Sequence, residues 1–154
     1  MKQRIYIDTS VVGGFYDTEF MNYTRPFFDK IKRGEVIVIY SNLLEKELQN
    51  APQRVKEVIR ELPVDNIEYI EISDESIDLA QKYISENVVG KTSFEDCLHI
   101  ALATLIRADV LVSWNFKHIV NVARIKGYNS VNLKFGYPQI DIRSPRELLN
   151  YEDN

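Results

Sequence analysis

Cysteine is nearly absent from this sequence: Cys97 stands alone among 154 residues. That excludes an internal disulfide framework and a cysteine-based zinc site, and it suits a reducing compartment such as the cytoplasm. Long apolar runs are missing too, none approaching the roughly 20 residues of a membrane-spanning helix. Met1-Lys2-Gln3-Arg4 leads straight into Ile5-Tyr6-Ile7, without the apolar stretch and cleavage site of a signal peptide. Positive charge is not in excess. A net charge of −4 argues against a generic nucleic-acid coat. Any action on nucleic acid must come from a local site where a metal or a basic patch offsets phosphate repulsion. Lys30, Lys32 and Arg33 form one basic cluster, and Lys117, His118, Arg124 and Lys126 another; each by itself reads best as a solvated helix face. No repeat, low-complexity tract or Pro/Gly-rich linker divides the chain, so residues 1–154 are expected to form a single domain.

Short apolar runs alternate with helical patterns. Strands are expected at Arg4–Ile7, at the β-branched run Val36–Tyr40, at Ile67–Ile72 and at Val110–Ser113, with extended stretches near Val131 and Ile140. Gly13-Gly14 reads as a turn, and helices are expected around Pro26 to Arg33, stopped by Gly34, from Ser41 or Asn42 to about Asn50, and over Pro52 to Leu62. Further helices are expected from Asp74 to about Glu86, from Phe94 to Arg107 behind a Thr92–Glu95 capping box, from His118 to Lys126 ended by Gly127, and after Ser144-Pro145-Arg146-Glu147. Such alternation predicts an α/β fold whose central, mostly parallel sheet is covered by helices.

In open parallel sheets, ligands collect at the carboxyl ends of the strands. Asp8 follows the first strand and Asn115 follows Val112-Ser113-Trp114. Asp8 also suits a helix cap, the better reading of that residue alone. Glu47 lies within the apolar stripe Leu43, Leu44, Leu48 and Ala51, so its carboxylate requires a partner, either an arginine such as Arg4 or a metal ion. Asp96 opens a helix that is apolar nearly all round, on the line of Ile100 and Ala103. Asp8, Glu47, Asp96 and Asn115 offer the oxygen donors that Mg²⁺ and Mn²⁺ prefer, suited to activating water in phosphodiester hydrolysis. His99 reads as a hydrogen-bonded core histidine, Cys97 as a small buried hydrophobe, and Trp114 as a packing residue. His118 is placed near a helix start, with phosphate contact as the minority reading.

Four segments carry a resemblance to PIN domains: Asp8-Thr9-Ser10, Ser41-Asn42-Leu43-Leu44-Glu45-Lys46-Glu47-Leu48, Asp96-Cys97-Leu98-His99-Ile100-Ala101, and Ala108-Asp109-Val110-Leu111-Val112-Ser113-Trp114-Asn115. They occur in the family's order over residues 4 to about 120. The resemblance implies a PIN-like three-layer fold and a VapC-like, Mg²⁺- or Mn²⁺-dependent endoribonuclease with Asp8, Glu47 and Asp96 as catalytic, metal-bearing acids. It also implies RNA as substrate, a toxin role, a homodimer, and a small antitoxin that blocks the acidic pocket. Asn115 departs from the pattern, standing where many relatives carry a fourth Asp, so the site has one negative charge fewer. The rival reading is a non-catalytic PIN-like module that binds RNA or protein. A haloacid-dehalogenase-like phosphatase would need an Asp two residues after Asp8, where Ser10 stands. A P-loop and a G-x-S-x-G nucleophile elbow are both absent.

Overall fold

The first four expected strands are present in the computed structural model, which describes residues 1–152, and a fifth forms close to Ile140. β1 (Gln3–Ile7) leads into α1 (Thr9–Gly14) and α2 (Met21–Lys32), and β2 (Val36–Ser41) into α3 (Asn42–Glu47) and α4 (Gln53–Arg60). β3 (Ile67–Ile70) is followed by α5 (Asp74–Ser85) and α6 (Phe94–Leu105), β4 (Val110–Val112) by α7 (Val122–Lys134), and β5 (Ile142–Arg143) by α8 (Pro145–Glu152). The strands form one sheet in the order β3-β2-β1-β4-β5, with every neighbouring pair parallel. The chain leaves β1 on one side for β2 and β3, then returns to its other side with β4 and β5. This reversal makes the carboxyl end of β1 the switch point at which a crevice opens.

Successive strand residues face opposite layers, as the period of two requires. Ile5, Ile7, Val36, Val38, Val110 and Val112 pack with Val11, Val12, Phe27, Phe28, Ile31, Val55, Val58 and Leu148 from α1, α2, α4 and α8. Tyr6, Ile39 and Leu111 face the other layer with Leu79, Tyr83, Cys97, Ile100, Tyr128 and Val131 from α5, α6 and α7. Phe27, Phe28 and Ile31 are fully buried, so this stretch of α2 is core. The Lys30–Arg33 cluster is not an open basic patch: Lys30 is buried, Lys32 pairs with Glu61 and Arg33 with Glu35.

Several local expectations are corrected. Gly13 and Gly14 lie in α1, not in a turn. Gly14 is needed for close approach, since a Cβ there would lie 2.7 Å from Thr24 Oγ1 and 2.8 Å from Trp114 Nε1. The helix expected from His118 starts at Val122 behind the Asn121 cap and runs through Gly127 to Lys134. Gly127 serves another contact, because a Cβ there would lie 2.7 Å from Val88 Cγ1. Val131 is therefore helical, not extended. The Thr92–Glu95 capping box does not form: a 3₁₀ turn over Lys91–Ser93 precedes α6, and Ser93 at its cap makes no side-chain bond to the helix. Ser93 at φ −97°, ψ 18° lacks the extended backbone that such a cap uses. The capping box of α8 does form, with Ser144 N–H donating to Glu147 Oε1 at 3.3 Å and Glu147 N–H to Ser144 Oγ at 3.2 Å. Among the described residues, no helix is long and apolar enough to cross a membrane.

Candidate acidic site

Asp8 leaves the carboxyl end of β1 and is 4% exposed. It caps α1, its Oδ1 accepting from Val11 N–H at 3.3 Å, as the helix-cap reading expects. Two hydroxyls then clamp it from either side: Ser10 donates to Oδ1 and Ser113 to Oδ2, both at 2.6 Å. Each hydroxyl is itself held by the segment after β4, Ser10 Oγ by Trp114 N–H and Ser113 Oγ by Asn115 N–H, both at 2.9 Å. Burial dominates the electrostatics and pushes the Asp8 carboxyl above its ordinary range, against the opposing pull of His99 and of these hydrogen bonds.

Glu47 ends α3, and its partner is His99, not Arg4. Arg4 pairs with Glu68 at 2.8 Å instead. His99 Nε2 lies 2.6 Å from Glu47 Oε1, and Thr9 Oγ1 donates to the same oxygen at 2.8 Å. Burial raises the affinity of Glu47 for a proton, but the bond and charge of His99, with the bonds from Thr9 and Glu95, outweigh it and hold the carboxyl below its usual range. His99 is 3% exposed, and its other nitrogen, Nδ1, lies 2.7 Å from the Tyr6 hydroxyl, which donates to Ser41 Oγ at 3.0 Å. The core-histidine reading of His99 holds. Its role beside Glu47 was missed, although Asp96 and His99 stand three apart on α6 and so share a face.

Asp96 lies in the first turn of α6, half-buried. Burial raises its pKa most, His118 lowers it, Asp8 raises it, His99 lowers it and Glu47 raises it. Asp96, at the start of α6, thus senses the charges of Asp8, after β1, and of Glu47, at the end of α3. Asn115 stands after β4, with its Oδ1 accepting His118 N–H at 2.9 Å, and so shapes the turn. His118 Nδ1 is buried without a hydrogen-bond partner among the described residues. Trp114 is packed, stacked on Phe20 at 4.3 Å with Nε1 donating to Thr24 Oγ1, while Phe116 beside it is 48% exposed. Among the described residues, no three His, Cys, Asp or Glu side chains stand in an arrangement closed enough to hold an ion. The donor chemistry nevertheless suits a hard cation: three carboxylates, of which Asp8 and Asp96 stand in surroundings that disfavour their charge.

No family model matches the chain, and no curated protein matches its sequence. A solved structure does share its fold: VapBC2 from Rickettsia felis, bound to a DNA fragment from their promoter. The TM-score is 0.55 at 12% identity, covering 92% of this chain and 98% of that one. The class defined by fold is therefore a three-layer α/β protein with a five-stranded parallel sheet flanked by helices, the PIN-like architecture that the sequence motifs implied.

Proposed function

We propose that this chain is a metal-dependent endoribonuclease of the VapC-like kind, with Asp8, Glu47 and Asp96 as its catalytic acids. The observation that carries the reading is that the Asp96 carboxyl responds to the charges of Asp8 and Glu47, acids distant from it in sequence, with Asp8 at the switch point of the sheet. The likeness in fold to VapBC2 supports it.

Asp8, Glu47 and Asp96 would hold Mg²⁺ or Mn²⁺, with Asn115 contributing its amide oxygen after release from His118 N–H. When bound, the ion supplies activation of water and charge stabilisation at the scissile phosphate. The protein's own part is orientation. Ser10 and Ser113 hold the Asp8 carboxylate in one plane by donating to opposite oxygens. His99 and Thr9 hold Glu47. The fold buries Asp8, and burial strengthens the electrostatic interactions it makes. A small antitoxin covering the acidic pocket and a homodimeric assembly belong to the same proposal.

The test is cleavage of a mixed RNA pool with Mn²⁺ or Mg²⁺ by wild type, Asp8→Ala and Asp96→Ala, each verified as folded. Metal-dependent cleavage by wild type, lost in both variants, is expected. A folded, antitoxin-free wild type inactive with both ions would overturn the proposal. That outcome would favour a non-catalytic module binding RNA or protein, a reading supported by the engagement of Asn115 Oδ1 in its own turn.

A further inference from the structure

We infer that His99 and Tyr6 are positioning residues that fix the Glu47 carboxylate from the interior of the protein. The argument starts with where Glu47 sits. It is the last residue of a six-residue helix, and its side chain is 26% exposed, so packing alone leaves the carboxylate able to rotate. A carboxylate meant to hold an ion in a defined place needs its orientation set by neighbours. The structure supplies a continuous set of them. Ser41 Oγ caps α3 by accepting Leu44 N–H at 3.3 Å and receives the Tyr6 hydroxyl at 3.0 Å; Tyr6 contacts His99 Nδ1 at 2.7 Å; His99 Nε2 reaches Glu47 Oε1 at 2.6 Å. The start of α3 is thereby tied to its end through β1 and α6.

Burial separates this relay from a surface contact. Tyr6 and Ser41 are fully buried and His99 is 3% exposed, so each polar group requires the next, and deleting one leaves another unpaired. Packing fixes the imidazole plane as well, with the Tyr6 ring 5.8 Å from it in an edge arrangement. A carboxylate oxygen can only accept, so the hydrogen bond between them has His99 Nε2–H as donor and Oε1 as acceptor. Thr9 donates to that same oxygen. Both donors converge on Oε1 and so fix the carboxylate through that one oxygen.

What the oriented carboxylate is for rests on the nuclease reading, but the relay is present without metal and is tested there first. Metal-free protein with ¹⁵N-labelled histidine is expected to show a slowly exchanging His99 Nε2–H resonance, displaced by Glu47→Ala and weakened in protection by Tyr6→Phe. Absence of that protected proton, or its indifference to Glu47→Ala, overturns the relay. Mn²⁺ titration calorimetry then compares wild type, His99→Leu and His99→Gln, each shown to be folded by circular dichroism. His99→Leu is expected to bind Mn²⁺ about 10- to 100-fold more weakly. His99→Gln, whose amide N–H can still donate to Glu47, is expected to recover most of the loss, which a merely space-filling role would not produce. Equal affinity in wild type and His99→Leu overturns the positioning role. A wild type that shows the protected proton but binds no Mn²⁺ defeats the nuclease reading while upholding the relay.

Discussion

Ser113, at the end of β4, donates its hydroxyl to Oδ2 of Asp8 at 2.6 Å across 105 positions of sequence. Only the parallel pairing of β1 with β4, which sets Ile7 beside Val112, makes that contact available. Ser113→Ala removes one of the two hydroxyls that hold Asp8 and leaves Oδ2 buried without this donor. The expected cost is about 1–3 kcal/mol of stability, read from urea unfolding, together with weaker Mn²⁺ binding. A variant as stable as wild type would show that the clamp is dispensable.

The pH dependence of the metal-free protein follows from burial of the aspartates. Asp8 and Asp96 are held above their ordinary value of 3.8, chiefly by desolvation, so the folded state keeps protons that the unfolded chain releases. Their contribution is fully present below 3.8 and is lost as pH rises through the raised values. Glu47 runs the other way: held below 4.5, it contributes above that value and loses its contribution as pH falls through the lowered one. Above 4.5 the Glu47 contribution is complete, so the urea midpoint is expected to fall as pH rises from there, the difference coming from the two aspartates. The difference should shrink in Asp8→Asn. A wild-type midpoint that climbs over this interval would contradict the assignment.

Asn115→Asp adds the fourth negative charge without disturbing the turn, since a carboxylate oxygen accepts His118 N–H as the amide oxygen does. Mn²⁺ affinity is expected to rise by roughly tenfold, because charge count tunes the affinity of oxygen-ligand sites. Titration calorimetry decides it, and unchanged affinity would place residue 115 outside the metal site.

Gly14→Ala forces a methyl group to within 2.7 Å of Thr24 Oγ1 and 2.8 Å of Trp114 Nε1. The variant is expected to lose about 1–3 kcal/mol of stability. The fluorescence of Trp114, the one tryptophan of the chain, should shift as its bond to Thr24 breaks. An unaltered spectrum would mean that α1 moves aside at little cost.

Cys97 is completely buried, and burial first, then the Asp96 charge, pushes its thiol up to about 12. In native protein it should not react with a thiol reagent near about pH 8, and it should react fully in denaturant. Rapid labelling of the native state would reveal an opening of α6 that the packing does not suggest.

The sequence by itself determined the alternation of strands and helices, the parallel sheet, the Gly34 and Ser144 helix boundaries, and the burial of α6. Those features follow from local periodicity and cap chemistry, which are complete within a few residues. It also singled out Asp8, Glu47 and Asp96 as acids placed at the edge of the core. Tertiary structure decided which partners those acids have: Ser10 and Ser113 for Asp8, and His99 with Thr9, not Arg4, for Glu47. It also decided that Gly14 and Gly127 serve close approach, Gly14 as the last residue of α1 instead of in a turn and Gly127 inside α7 instead of at its end. The physical reason is the same in each case. Hydrogen-bond partners and clashes depend on which strand lies beside which and on how near two helices come, and those distances arise only when the β1–β4 pairing and the α6 packing bring residues some fifty to a hundred positions apart into contact.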